Sequence, residues 1–232
     1  MSIHKDHRQR LKDRFLKDGL DNFDELYVLE LLLYYCIPRI DTNPLAHRLL
    51  DHFGTLTNVL NASPEELEKV EGVGKSTSTF LSLITQVGRY YQVKQSEQSR
   101  VLGTIDQCGH YLVPYFFGRE QETVFMLCLD AKCKVICCKM VGEGSVNSAN
   151  IPVRRVVEMA LAANATTVVL AHNHPSGLAL PSADDIQTTQ RIASALETVE
   201  ITLADHIVVS KEDFVSIAQS GFYIPKDTCG IR

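Results

Sequence analysis

The sequence predicts an α+β protein of two domains, an all-helical N-terminal domain followed by an α/β domain. Up to residue 92, apolar residues recur at helical spacing, and glycine or proline separates the segments. From residue 122 onward, short apolar runs alternate with helical patterns, which is typical of a mixed sheet covered by helices. The polar segment 93–100 separates the two patterns. We therefore predict a helical domain over 1–92, a linker over 93–100 and an α/β domain over 101–232.

The helical domain is expected to be an assembly of short helices. Pro44 and Pro64 stand where helices begin, a position that suits proline because a first-turn N–H has no partner within the helix. Ser63 is the expected N-cap of the helix at Pro64, and Glu66 follows the cap by three residues. The predicted helices cover residues 4–18, 24–35, 42–53, 64–70 and 76–92.

A glycine pair, Gly72 and Gly74, lies in the turn before the last of these helices and is followed by Lys75. A phosphate-binding P-loop needs a glycine five residues before the Gly-Lys pair, where this chain has Lys69. The order of helix, tight glycine turn and helix instead predicts a helix-hairpin-helix. Its exposed backbone N–H groups suit a DNA phosphate, so Gly72, Gly74 and Lys75 are candidate nucleic-acid contacts. The alternative is a hairpin with a purely structural role.

The α/β domain is expected to start with a β-hairpin. Residues 122–130 and 133–141 have the composition of paired strands, and the turn at Asp130-Ala-Lys132 joins them. The other elements are expected as a helix over 152–163, a strand over 166–171, a helix over 183–197, a strand over 201–210 and a short helix around 212–219.

Composition and charge limit the class of protein. Hydrophobic residues make up 45% and charged residues 22%, as in ordinary soluble globular proteins, and the net charge of −5 does not indicate general nucleic-acid binding. Seven cysteines without a CxxC spacing argue against a disulfide framework and favour buried thiols. No apolar run reaches the roughly 18 residues of a membrane span, and the first residues lack the apolar core of a signal peptide. We expect a cytoplasmic protein without a membrane partner.

Residues suited to a metal site lie between a predicted strand and the next helix: His172, His174, Ser182 and Asp185. Side chains at i and i+2 of an extended segment point to the same side, so His172 and His174 can bind one ion. Pro175 favours an extended His174, because the residue before proline avoids the helical region. Asp185, in the first turn of the next helix, is the candidate third ligand. Two imidazoles and a carboxylate suit zinc, although this spacing leaves iron and manganese open.

Ser182 and Asp185 also have a structural interpretation. Ser-Ala-Asp-Asp before an apolar-periodic helix is a capping pattern, and helix caps are far commoner than zinc sites. In a hydrolytic site, Ser182 would hydrogen-bond the water or the developing oxyanion. Such a site also needs an acidic general base outside the ligand set, which takes the proton of the water and gives it to the leaving amine.

The spacing His172-x-His174, seven residues, Ser182, two residues, Asp185 resembles the JAMM (MPN+) motif of metallopeptidases. The form His-Asn-His-Pro-Ser-Gly, followed by Pro-Ser-x-x-Asp, resembles the bacterial RadC-like family, and the likeness covers nearly the whole chain. The resemblance implies an N-terminal helix-hairpin-helix domain and a C-terminal JAMM/MPN-like domain of the three-layer, cytidine-deaminase-like kind.

The resemblance also implies roles for individual residues. One zinc ion per chain would be held by His172, His174 and Asp185 with a water as fourth ligand, and Ser182 would lie on the oxyanion side. The general base would be a glutamate at the start of an early strand, a position that Glu122 matches. Glu120 and Glu143 are the alternatives.

Three functions remain open from the sequence. The first is a zinc-dependent metallopeptidase or isopeptidase that acts on an unknown peptide or protein substrate. The second is a DNA-associated factor in repair or recombination that binds through the helix-hairpin-helix, and the third is a zinc-bearing scaffold without catalysis. Asp205 and His206 are interpreted as a buried structural pair, with a supporting role at the metal site as the alternative.

Overall fold

In the computed structural model, every regular element described before residue 97 is a helix, as the apolar periodicity predicts. The structure describes residues 3–38, 40–96, 101–144, 151–175, 178–210, 213–225 and 231. Asp24, Thr55 and Ser63 begin three of the helices, since each accepts a hydrogen bond from the backbone N–H three residues later. The helices are α1 (Ile3–Asp18), α2 (Glu25–Cys36), α3 (Asn43–Phe53), α4 (Leu56–Asn61), α5 (Pro64–Leu67) and α6 (Lys75–Ser96). The sequence did not predict α4 as a separate helix.

The chain divides into two units, Met1–Gly88 and Arg89–Arg232. The first unit has its own hydrophobic core, to which α2, α3 and α6 contribute the buried side chains of Leu29, Leu49 and Leu81. Burial of such side chains supplies most of the free energy that holds short helices together.

Helix α6 extends further than the sequence predicts. Its expected end was residue 92, but the helix continues to Ser96 and so includes the first half of the predicted linker, 93–100. Lysine and glutamine have good helix propensity, so a polar composition does not by itself end a helix. The remaining linker residues lie outside the described ranges, and the domain boundaries at 92 and 101 stay a prediction. In the part of the chain that the structure describes, no helix is both long and apolar enough to cross a membrane.

The second unit is built on a mixed five-stranded sheet in the order β2-β1-β3-β4-β5. Only β3 and β4 pair in parallel, and the other neighbours are antiparallel. β1 and β3 are buried along their whole length, which agrees with their unbroken apolar runs. The strands are β1 (Thr123–Leu129), β2 (Val135–Glu143), β3 (Thr167–Asn173), β4 (Thr202–Ser210) and β5 (Asp213–Ser216). The predicted hairpin and the two later strands are therefore confirmed.

Helices cover both faces of the sheet. α7 (Ile105–Leu112) packs against the face that carries Phe125 and Leu127. α8 (Val153–Ala162) and α9 (Ala183–Glu197) pack against the opposite face, which carries Val124 and Met126. Successive side chains of a strand point to opposite faces, so the apolar run of β1 fills both layers.

Two features of the second unit differ from the sequence prediction. α7 was not predicted, although its cap is regular: the Thr104 hydroxyl accepts from the Gln107 N–H at 3.2 Å. The short helix expected around 212–219 is wrong over Asp213–Ser216, which is strand β5 and pairs with β4 so that Val215 lies opposite Val208. A four-residue segment with two apolar residues, Phe214 and Val215, is too short to show a helix or strand period, and here pairing with the edge of β4 makes it a strand.

Candidate metal centre

The candidate centre lies where β3 ends and α9 begins. His172 and Asn173 are the last residues of β3, and His174 continues the extended path because its N–H donates to the Val209 carbonyl at 2.9 Å. His172 and His174 therefore point to the same side of the sheet. Asp185 lies in the first turn of α9, the helix that covers this side. The end of a strand and the start of a helix thus bring the three side chains together.

The three side chains come within the range expected for one bound ion. His172 Nε2 lies 3.0 Å from His174 Nε2 and 3.2 Å from Asp185 Oδ1, and His174 Nε2 lies 3.6 Å from Asp185 Oδ2. A zinc ion held tetrahedrally at about 2.0–2.1 Å separates its ligand atoms by about 3.3 Å. The measured distances lie on both sides of that value. Within the described ranges, this trio is the one His, Cys, Asp and Glu cluster with such geometry.

Burial gives the cluster one accessible side. The side chains of His172 and Asp185 are 1% and 0% exposed, whereas that of His174 is 17% exposed. A buried carboxylate loses its hydration and needs an opposite charge or several hydrogen bonds in compensation. A cation bound between Asp185 and the two imidazoles supplies that compensation, and the side of His174 is where solvent reaches it.

The hydrogen on His174 can be assigned from its neighbour. His174 Nδ1 lies 3.1 Å from the carbonyl oxygen of Leu178. Because a carbonyl oxygen only accepts, Nδ1 carries a hydrogen, and Nε2 is the nitrogen left for a metal. Nε2 faces His172 Nε2 and the Asp185 carboxylate. The ring is therefore oriented so that Nε2 can serve as a metal ligand.

Ser182 and Asp185 form the helix cap that the sequence also allows. The Ser182 hydroxyl accepts from the Asp185 N–H at 3.1 Å, and Asp185 Oδ2 accepts from the Ser182 N–H at 2.6 Å. The hydroxyl hydrogen of Ser182 points to Asp185 Oδ2 as well, at 2.7 Å. Oδ2 is thus held by Ser182, while Oδ1 faces His172. The cap and the candidate ligand set therefore share Asp185.

Glu122 stands directly before β1, the strand next to the ligand-bearing strand. β1 and β3 are antiparallel, with Val124 opposite His172. Glu122 is two residues before Val124, so side-chain alternation predicts that it lies on the same side of the sheet as Val124 and His172. The Gly144 N–H donates to the Glu122 carbonyl at 3.0 Å, so its backbone is held by the β2 end of the hairpin.

The other two candidate glutamates have different surroundings. Glu143 pairs with Thr123 in the β1–β2 register, which puts its side chain on the sheet face opposite to the ligands. There its carboxylate accepts hydrogen bonds from the Arg119 guanidinium and, at 3.4 Å, from the Thr123 hydroxyl. Glu120 is exposed. Of the three, Glu122 is the one that directly precedes β1 and that side-chain alternation predicts on the side of the cluster, and its role as general base stays a prediction.

Asn173, the residue between the two histidines, binds the segment that carries Glu122. Its Oδ1 accepts from the Thr123 N–H at 2.7 Å, and its Nδ2 donates to the Gln121 carbonyl at 3.2 Å. These backbone groups lie on either side of Glu122 along the chain. Sequence reasoning missed this contact, because asparagine beside a turn is common and its partners are 50 and 52 residues away.

Comparisons with known proteins agree with this fold and cluster. Residues 102–222 match the family described as the RadC-like JAB domain. A UPF0758 protein from Ruegeria pomeroyi is 36% identical over 221 residues, which are 95% of this chain and 99% of the relative. The chain belongs to the RadC-like family. A UPF0758 protein from Fusobacterium nucleatum is 32% identical over 222 residues, 93% of this chain and 96% of the relative.

In this RadC-like chain, Asp205 and His206 are both buried, and Asp205 Oδ1 accepts a hydrogen bond from the His206 N–H at 2.7 Å, as expected of a structural pair. The two side chains leave β4 on opposite faces. Asp205 accepts from the Ser216 hydroxyl and, at 2.9 Å, from the Ala218 N–H, and burial raises the pKa of its carboxyl group. The His206 ring instead reaches His172 at 2.8 Å. His206 is therefore part of the surroundings of the candidate centre.

The hairpin residues of this RadC-like chain belong to the helical unit. Gly72 has a φ of +95°, a conformation that favours glycine, and a Cβ there would lie 3.1 Å from Arg48 Nη2. Gly74 has open space around it, and α6 begins directly after it at Lys75. The hairpin is thus a glycine-dependent turn into a helix. Contact of Gly72, Gly74 and Lys75 with nucleic acid stays a prediction.

Proposed function

We propose that this protein is a zinc-dependent hydrolase of the metallopeptidase or isopeptidase type that cleaves an amide bond. The observation that carries the proposal is the trio of His172, His174 and Asp185, with ligand atoms 3.0–3.6 Å apart at a partly accessible position. Membership of the RadC-like family supports it, because the matched domain is described as a JAB domain. We further propose that the α/β unit is JAMM/MPN-like, with the three-layer arrangement of cytidine deaminases.

In this proposal, His172, His174 and Asp185 hold one zinc ion per chain. Two neutral imidazoles and a carboxylate are a donor set that zinc prefers, and it leaves a position for water or substrate. When bound, zinc supplies a Lewis acid that polarises a carbonyl and lowers the pKa of water. The partial exposure of His174 is what gives a substrate access to this side of the cluster.

Glu122 is the proposed general base. A carboxylate on the ligand side of the sheet can take a proton from water and give it to the leaving amine, which an amide needs because an unprotonated amine leaves poorly. The backbone bonds around Glu122, from Gly144 and Asn173, hold the residue at the strand end. Ser182 keeps Asp185 in place and, by exchanging that hydrogen bond, can donate to the oxyanion that develops on the substrate carbonyl.

The test compares zinc-loaded wild type with a Glu122→Gln variant on a bacterial lysate, with new amino termini and freed lysine amines identified by mass spectrometry. The wild type should release products that depend on zinc, and Glu122→Gln should keep its zinc while forming fewer of them by a factor of 10² or more, the usual contribution of a general base. Glu120→Gln, an exposed carboxylate two residues away, is the matched control and should behave as wild type.

The same experiment distinguishes a zinc scaffold from an enzyme. If the wild type binds zinc but forms no product that Glu122→Gln lacks, catalysis at this centre is refuted and a non-catalytic zinc scaffold is the better account. If Glu120→Gln loses the products and Glu122→Gln keeps them, the assignment of the base is wrong and the hydrolase proposal survives.

We also propose a second candidate function, DNA association through the helical unit in repair or recombination. The observation that favours it is the glycine turn at Gly72 and Gly74, which leads into the 22-residue helix α6. N–H groups at the start of a helix bind phosphate well, and Lys75 adds a positive charge there.

The measurement is the salt dependence of the affinity of the full chain for a short DNA duplex. Lys75→Ala should weaken binding to DNA of any sequence. It should also reduce the slope of the logarithm of the binding constant against the logarithm of the salt concentration by about 1. Lys94→Ala, an exposed lysine 19 residues further along the same helix, is the matched control. Binding that is absent, or equal in both variants, would refute DNA contact at the hairpin.

A further inference from the structure

A chain of hydrogen bonds connects two of the candidate ligands through residues that are not ligands themselves. The Thr189 hydroxyl lies 2.6 Å from the carbonyl oxygen of Asp185 and 2.6 Å from His206 Nδ1. His206 Nε2 lies 2.8 Å from His172 Nδ1. Thr189 and His206 are both completely buried. The chain therefore runs from the Asp185 backbone through α9 and β4 to the ring of His172.

The direction of each hydrogen bond in this chain follows from its first member. The carbonyl of Asp185 can only accept, so the single hydrogen of the Thr189 hydroxyl points to it. The Thr189 oxygen must then accept from His206 Nδ1. His206 is completely buried, and a neutral ring with its one hydrogen on Nδ1 has a lone pair on Nε2. Nε2 consequently accepts from His172 Nδ1.

The consequence concerns the nitrogen of His172 that faces the cluster. With its hydrogen on Nδ1, His172 presents the lone pair of Nε2 to His174 and Asp185. His174 turns its own Nε2 toward the cluster for a separate reason, the bond from its Nδ1 to Leu178. Two imidazole nitrogens and a carboxylate thus converge on one position. Such an arrangement suits a cation.

We propose that His206 and Thr189 are positioning residues that fix the tautomer and the ring plane of His172 and thereby set the affinity of the centre for metal. The inference rests on the proposed metal site but not on catalysis. Outer partners of metal-binding histidines are usually carboxylates or carbonyl oxygens, and their loss costs about 10–100-fold in metal affinity. Here a neutral histidine takes that place, and the Thr189 hydroxyl dictates which of its nitrogens accepts.

The test measures zinc affinity by competition with a chelator, using the full chain. His206→Leu removes the acceptor and should weaken zinc binding about 10–100-fold. His206→Gln offers an amide oxygen to His172 Nδ1 and should recover most of the lost affinity. Thr189→Val keeps the shape of the side chain but removes the hydroxyl, and it should weaken binding about tenfold. Thr188→Val, at the neighbouring buried threonine of α9, is the matched control and should bind zinc as wild type does.

A second measurement needs neither metal nor activity. Nitrogen-15 spectra of the zinc-free wild type should show the Nδ1–H tautomer at His172, and Thr189→Val should give a mixture of tautomers. An Nε2–H tautomer in the wild type, or zinc affinities of His206→Leu and Thr189→Val within threefold of wild type, would overturn the inference. A wild type that binds no zinc would instead refute the metal site itself, so the two failures are distinguishable.

Discussion

Ser182 and Asp185 bind each other through three hydrogen bonds at the start of α9. The Ser182 N–H and hydroxyl both donate to Asp185 Oδ2, at 2.6 and 2.7 Å, and the Asp185 N–H donates to the Ser182 hydroxyl at 3.1 Å. A helix cap and a candidate metal ligand are usually separate residues, but here Asp185 belongs to both. The orientation of the Asp185 carboxylate toward His172 therefore depends on the cap.

Ser182→Ala should affect stability and metal binding together. Loss of an N-cap costs about 1 kcal/mol of the free energy of unfolding, and loss of the hydroxyl that orients Asp185 should weaken zinc binding about tenfold. Urea unfolding and chelator competition measure the two effects. Thr104→Ala removes the equivalent cap of α7 and should lower stability without changing zinc affinity. Equal zinc losses in both variants would mean that the cap acts on the site only through stability.

Asn173→Ala should release the segment that carries Glu122. Without the side-chain oxygen, the buried Thr123 N–H loses its acceptor, which costs about 1–3 kcal/mol, or roughly 5- to 150-fold in the local opening equilibrium. Amide hydrogen exchange of Thr123 should accelerate by that factor. Asn173→Asp keeps the acceptor and should preserve the protection of Thr123. Unchanged exchange of Thr123 in Asn173→Ala would show that Asn173 does not hold this segment.

Cys108 and Cys128 should resist thiol reagents in the folded protein. Both are fully buried, and burial raises the pKa of each thiol to about 12. At neutral pH, the fraction of each buried cysteine that is in the reactive thiolate form is therefore roughly three thousand-fold lower than for a free cysteine, whose pKa is near 8.5. Partly exposed Cys137 is the internal comparison and should be modified first. Mass spectrometry after pulse labelling at pH 7.5 measures the order in which the cysteines react. Labelling of Cys108 before the protein unfolds would contradict the described core.

The cluster of His172, His174 and Asp185 could be predicted from the sequence because its members are close along the chain. A buried strand, an extended residue before proline and a helix start determine the local path between His172 and Asp185, so their spacing already indicates one site. Ser182 and Asp185 are also close along the chain, so the sequence could indicate their helix cap as well. Both interpretations are compatible with the structure, in which Asp185 belongs to the cap and to the candidate ligand set.

The surroundings of the site could not be predicted in this way, because they depend on strand register and helix rotation. His206 and Thr189 reach the centre across separations of 34 and 17 residues, and Asn173 binds a backbone 50 residues earlier. A single sequence shows that His206 is in a strand, but not which strand lies beside it. The parallel pairing of β3 with β4 puts Leu170 opposite His206, and this pairing decides the contact with His172.

The zinc content of the purified, metal-loaded chain tests the central claim most directly. The wild type and a His52→Ala control, with its substitution on an exposed histidine of the helical unit, should each hold one zinc per chain. X-ray absorption should show two imidazole nitrogens and oxygen ligands at about 2.0–2.2 Å. His174→Ala should retain less than about a tenth of the zinc after dialysis, since it removes one of three protein ligands. A wild type without stoichiometric zinc, or a His174→Ala variant that holds it fully, would contradict the account.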